Sequence, residues 1–209
     1  MDRRDAAGMS LAVLVTVFAL IVPAELPDKT FVATLVLSTR FRALPVFIGA
    51  SLGFVVQAAI AVAAGSAVAA LPKTPVHAVS AAIFALGAVL MVRNIEDPEA
   101  EEREVEGELA DAPAEPGGLR VIGTSFLILF LAEWGDLTQL LTASLSAKYD
   151  DPASVFAGSA LGLVTVALIA ILGGKAMMRV LPLEWIRRIA ALAFGVVAVL
   201  TALQAADVL

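Results

Sequence analysis

Four acidic residues interrupt two of the most apolar stretches of this 209-residue chain: Glu25 and Asp28 in AELPDKT, and Glu133 and Asp136 in AEWGDLT. The members of each pair are three residues apart, so on helical geometry they share a face and reach a common ligand. Ionised carboxylates in apolar surroundings are costly, and four together require a bound cation, protons or basic neighbours. The one basic residue within the motifs, Lys29, offsets a single charge. With the hydroxyls of Thr30 and Thr138 and any freed backbone carbonyls, the acids make a set of hard oxygen ligands. Such a set suits Ca²⁺, Mn²⁺ or Mg²⁺ better than Cu or Zn. When the metal leaves, protons must replace its charge, which is the simplest physical basis for metal/proton antiport at one site. Gln139, beside the second motif, and Gln57, in the middle of an apolar run, either ligate the metal or its water or hydrogen-bond between helices. Thr34, Thr142, Ser38 and Ser146 are expected to bond the backbone of their own helices.

The elements that carry these residues must lie in a membrane. A chain that is 60% hydrophobic, with mean hydropathy +0.92, has more apolar surface than a water-soluble core can hide. The apolar runs are continuous and far longer than strands, which excludes a transmembrane barrel and predicts an all-α integral membrane protein. The net charge of −6 reflects one acidic stretch, Glu96 to Glu115, and no nucleic-acid partner is expected. Without cysteine there is neither a disulfide nor a thiolate metal site. A single histidine, His77, makes no imidazole cluster and is read as a helix-start residue beside Pro75.

Apolar stretches of about twenty residues give six spans: Met9–Leu37, Leu44–Leu71, Val76–Val92, Leu119–Leu145, Pro152–Gly174 and Ile186–Ala205. The first and fourth are too long for a straight crossing and contain the acids, so they are expected to be tilted or broken there, by Pro23 and Pro27 in one and by Gly135 in the other. Between the third and fourth lies a solvated Glu-, Pro- and Gly-rich linker, with part helix expected near Glu99 to Leu109. Lys148, Asp150 and Asp151 read as an exposed loop. Lys and Arg concentrate on the linker side (Arg40, Arg42, Arg93, Arg103, Arg120, Lys175, Arg179, Arg187, Arg188), which the positive-inside rule makes cytoplasmic, with both termini outside. The first span lacks a small-residue cleavage site and is read as retained.

At an offset of 108 residues Ala24, Glu25, Asp28, Thr30, Thr34 and Ser38 fall on Ala132, Glu133, Asp136, Thr138, Thr142 and Ser146, and beyond them, with a slip of one residue, Gly49 and Gly53 meet Gly158 and Gly162. The expected organisation is repeat 1 at 1–93, an acidic cytoplasmic linker at 94–118 and repeat 2 at 119–209. Each repeat has three spans, an odd number, so the second enters from the opposite side and the repeats are inverted, as in many transporters with a midplane site. The four glycines, each pair four apart, are read as close helix packing.

ELPDKT and EWGDLTQ resemble the paired E-x-G-D-[KR]-[ST] motifs of the Gdt-type family, also called the transmembrane protein 165 family or uncharacterised protein family 0016. The resemblance covers nearly the whole chain. It implies a divalent cation/proton antiporter, not an enzyme, that exports Mn²⁺ and/or Ca²⁺ from the cytoplasm by alternating access, in a bacterial member at the inner membrane. It makes Glu25, Asp28, Thr30, Glu133, Asp136 and Thr138 the metal-binding and proton-exchanging residues, with Gln139 as a further candidate ligand beside them. No cofactor is expected to be tightly bound; the metal is substrate, H⁺ is counter-ion, and a homodimer is left open. Pro27 stands where the motif has Gly, which stiffens the break without removing a ligand. Leu137 stands where the second motif has a basic residue, which makes the site more negative. Three other readings fit less well: an exporter of amino acids or other small solutes on a related fold, a channel, and an intramembrane aspartyl protease, in which the glutamates would have no role.

Overall fold

The computed structural model describes residues 9–26, 28–93, 103, 105–107, 117–149, 151–180 and 183–206. Pro27, Asp150, both chain ends and most of the acidic linker lie outside the described residues. The helices are α1 (Leu11–Glu25), α2 (Lys29–Arg40), α3 (Ala43–Val68), α4 (Lys73–Arg93), α5 (Gly118–Ala132), α6 (Leu137–Tyr149), α7 (Pro152–Val180) and α8 (Leu183–Ala205). Helices α3, α4, α7 and α8 are each long and apolar enough to cross a membrane. The 26 residues of α3 span about 39 Å at helical rise. The pairs α1–α2 and α5–α6 each make one apolar run bent at a short break, by 71° and 74°. All six expected spans are therefore present, and the first and fourth are broken beside their acids.

Of the two prolines expected to supply the first break, Pro23 does not stop the helix, and Pro27 lies outside the described residues. Pro23 lies inside α1, which continues to Glu25. A proline near a helix end forfeits one backbone bond without stopping the last turn, and the chain departs from the helix only after Leu26. In the second break Gly135 has φ +76°, the left-handed region that glycine enters without steric penalty.

The two halves interlock. Helix α1 packs on α7 and α3 on α5, while α2 packs on α7 and α3 on α6; α3 also meets α7, and α4 meets α8. Exchanging α1 with α5, α2 with α6 and α3 with α7 turns each contact of the first two kinds into its partner, the pattern of an inverted repeat with a pseudo-two-fold axis. The glycine pairs sit at the corresponding crossings. A Cβ on Gly49 would lie 2.8 Å from Ser125 Cβ of α5, and one on Gly158 would lie 2.9 Å from Val17 Cβ of α1 and 2.6 Å from the Leu14 carbonyl oxygen. Close packing is thus their role.

The interior is filled by Val17, Ile21, Leu37, Phe54, Phe84, Leu129, Leu141, Leu145 and Phe194, all buried, whereas Leu11, Leu44, Leu119, Leu172 and Leu192 project outward. Such an apolar exterior is what a bilayer requires. Residues 105–107 of the linker are helical, and Val105 is buried in the core cluster, so this part of the linker touches the bundle. Lys148 and Asp151 are not in an exposed loop: Lys148 Nζ donates to Thr201 Oγ1 of α8 at 2.7 Å. Asp151 caps α7 through the Ser154 N–H at 3.1 Å and also accepts from the Ser10 N–H, before α1, at 3.2 Å. His77 lies within α4, just after Pro75 in its first turn, and shares a pocket with Lys73, Lys148, Tyr149 and Gln204.

Candidate cation site

The two breaks meet in the bundle, and each is closed by the same backbone hydrogen bond. The Asp28 N–H donates to the Glu25 carbonyl oxygen at 3.1 Å, and the Asp136 N–H to the Glu133 carbonyl oxygen at 3.2 Å. Each Glu ends a first half-helix. Each Asp precedes a second: Asp28 is the N-cap of α2, and Asp136 Oδ2 accepts weakly from the Thr138 N–H at 3.5 Å at the start of α6. The positive end of a helix dipole therefore faces each aspartate.

Glu25, Asp28, Glu133 and Asp136 each offer one carboxylate oxygen within 4.8 Å of the other three. Glu25 is 1% exposed and Glu133 2%, whereas Asp28 and Asp136 are half-buried at the rim. The threonines cross between repeats. Thr30 Oγ1 of the first motif donates to Glu133 Oε1 of the second in a short contact, and Thr138 faces Glu25 without completing a bond of ordinary geometry. Among the described residues, neither buried oxygen of Glu25 has a hydrogen-bond partner of ordinary geometry. An ionised carboxylate in that state needs a cation or a proton.

Lys29 also crosses. Its Nζ lies 3.6 Å from Asp136 Oδ1 of the other repeat. The equivalent position in the second motif is Leu137, whose methyl groups pack beside Gly87 of α4, 3.6 Å from where a Cβ would stand. The cluster is thus symmetric in its carboxylates and asymmetric in its countercharge.

Of the residues singled out in the sequence, the four acids converge, and Thr30 and Thr138 flank them. Gln139 is engaged at the turn: its Oε1 accepts from the Gly135 N–H at 2.9 Å and its Nε2 donates to Gln57 Oε1. Gln57 in turn donates to the Phe130 carbonyl oxygen at 2.6 Å. The expected backbone bonds of the smaller hydroxyls hold in the first repeat, where Thr34 donates to the Thr30 carbonyl and Ser38 to the Leu35 carbonyl. In the second repeat they reach across helices: Ser146 donates to the Val62 carbonyl, and Thr142 accepts from the Ser159 hydroxyl. The crossing of Thr30 and Lys29 to the opposite motif has no signal in the sequence, because it depends on how the two breaks are brought together.

The family described as divalent cation/proton antiporter GDT1 matches twice, at residues 13–99 and 121–208, once for each half. A GDT1-like protein of Synechocystis sp. is 31% identical over 75% of this chain and 80% of its own length. A Vibrio cholerae protein provisionally named a manganese exporter is 30% identical over 92% of this chain and 90% of its own. The chloroplast protein PAM71 of Arabidopsis thaliana is 28% identical over 88% of this chain, which spans 55% of that longer protein. No solved structure gives a match. Two family matches that divide at the linker, each containing one helix break and one acidic pair, agree with the geometry, and this chain belongs to the GDT1 family of divalent cation/proton antiporters.

Proposed function

We propose that the chain exports Mn²⁺, Ca²⁺ or both from the cytoplasm in exchange for protons, binding either cargo at Glu25, Asp28, Glu133 and Asp136 with the Thr30 and Thr138 hydroxyls beside them. The observation that carries this reading is the 4.8 Å cluster of four carboxylate oxygens drawn equally from both repeats. Oxygens on opposite sides of Ca²⁺ stand about 4.6–5.2 Å apart, and on opposite sides of Mg²⁺ about 4.0–4.2 Å. Four oxygens that all lie within 4.8 Å of one another can converge on a single hard divalent cation, and an all-oxygen set accepts Ca²⁺ and Mn²⁺ alike. The name of the Vibrio cholerae relative favours manganese.

The direction of transport follows from the proton gradient, which runs inward across an energised inner membrane and so drives the exchanged metal out; the positive-inside reading separately puts the linker side in the cytoplasm and both chain ends outside. The division into 1–93, 94–118 and 119–209 belongs to the same reading. A bacterial inner membrane is supported by the fuller coverage of the two bacterial relatives. Everted membrane vesicles test direction and selectivity together, because respiration acidifies their interior while their cytoplasmic face is outward. They should accumulate Mn²⁺ or Ca²⁺ and release it when an uncoupler is added. Accumulation only in right-side-out vesicles, whose interior respiration makes alkaline, would contradict metal/proton exchange.

A further inference from the structure

The second helix break carries a side-chain amide brace, and the equivalent positions of the first half hold apolar residues. Gln57, buried in α3, donates through Nε2 to the Phe130 carbonyl oxygen near the end of α5 at 2.6 Å, and its Oε1 accepts from Gln139 Nε2 at the start of α6. Gln139 Oε1 accepts from the Gly135 N–H at 2.9 Å, within the turn itself. Two amides thus link α3, the end of α5, the turn and the start of α6, enclosing the segment that presents Glu133 and Asp136.

The repeat supplies an internal comparison. The offset that superposes the motifs puts Phe31 opposite Gln139 and Val22 opposite Phe130, and the offset that superposes Gly49 and Gly53 on Gly158 and Gly162 puts Val166 opposite Gln57. Phe31 and Val166 are buried together with Ala170, with Val22 and Leu26 packed against them. The same place in the fold is therefore hydrogen-bonded in one half and apolar in the other. Apolar contact is non-directional and tolerates sliding. A chain of amide bonds in a dry interior fixes distances and angles, and breaking it strands buried polar groups.

The geometry points to Gln57 as a positioning residue for the cation site: through Gln139 it holds the Glu133–Asp136 turn in the metal-binding arrangement, while the corresponding place in the first half is filled by apolar side chains. This inference rests on the proposed cation site. Gln57→Met keeps the side-chain length and removes both hydrogen bonds, so the test is metal-dependent transport by Gln57→Met, Gln139→Met and the double variant in proteoliposomes. A parallel measurement follows the metal concentration that gives the half-maximal shift in melting temperature in detergent, which reads binding by the folded fraction alone. Gln57→Met should raise the half-saturating Mn²⁺ or Ca²⁺ concentration about tenfold in both measurements while the maximal rate per folded protein changes about twofold or less. The double variant should bind about as weakly as Gln57→Met alone, because partners in one network are not additive. An unchanged half-saturating concentration in Gln57→Met, or a loss confined to the maximal rate, would overturn the assignment and leave Gln57 a packing residue. Asp136→Asn, run alongside, separates the two levels: if it too leaves metal dependence unchanged, the cation site itself is wrong and the positioning role goes with it.

Discussion

Glu25 is the clearest case in which one side chain demands a ligand. It is enclosed by the bundle, neither oxygen has a hydrogen-bond partner of ordinary geometry among the described residues, and three other carboxylates lie close by. The neighbours that modulate the cluster make separate predictions. Thr30→Val removes the hydroxyl that bonds Glu133; a lost bond worth about 1 kcal/mol should raise the half-saturating metal concentration about fivefold in transport assays. Lys29→Met removes a positive charge 3.6 Å from Asp136, leaving the cluster more negative. Metal should then bind more tightly and leave more slowly, so the half-saturating concentration and the maximal rate both fall; weaker binding would mean that Lys29 organises the site and does not compete with the cargo. At this scale the sequence was legible where chemistry is local: the acids, their spacing and their threonines all lie at the site. The partners of Thr30, Lys29 and Gln139 were not, because each bond joins residues brought together only when the two breaks dock.

The half-helices set where those charges point. The turn before α6 depends on Gly135 at φ +76°. No atom would obstruct a Cβ there, so the penalty of Gly135→Ala is conformational, about 1–2 kcal/mol for a left-handed residue. It should appear as a lower melting temperature in detergent together with reduced metal affinity, since the strained turn carries both Glu133 and Asp136. A change in melting temperature alone would uncouple the turn from the site. The spans and both breaks were readable from apolar run length and the positions of the acids. The precise role of Pro23 was not, because a proline's effect depends on how much helix remains beyond it. Lys148 and Asp151 looked like a loop because charge near a helix end reads as solvent exposure, yet α8 and the start of α1 supply their partners.

Across the whole molecule, each half contributes two of the four clustered carboxylates and its helices pack chiefly on the other half, so transport at the proposed site would require both. Residues 1–107 and 108–209 expressed as separate chains should therefore transport metal when produced together and fail when either is produced alone; transport by a single half would contradict the shared site. The inverted repeat was legible because the 108-residue self-match runs from the acids to the glycines, and an odd span count fixes its sense. Interlocking was not, since a repeat does not reveal whether its copies pack side by side or through one another. The symmetry also supplies a route for alternating access, in which the two breaks exchange roles around a fixed cluster. The most direct test of that account is uptake of Mn²⁺ and Ca²⁺ into proteoliposomes made acidic inside, for the native chain, Glu25→Gln and Asp136→Asn. The account predicts metal accumulation that stops when the pH gradient is collapsed and that is lost in both variants; uptake indifferent to the gradient, or undiminished in the variants, would contradict it.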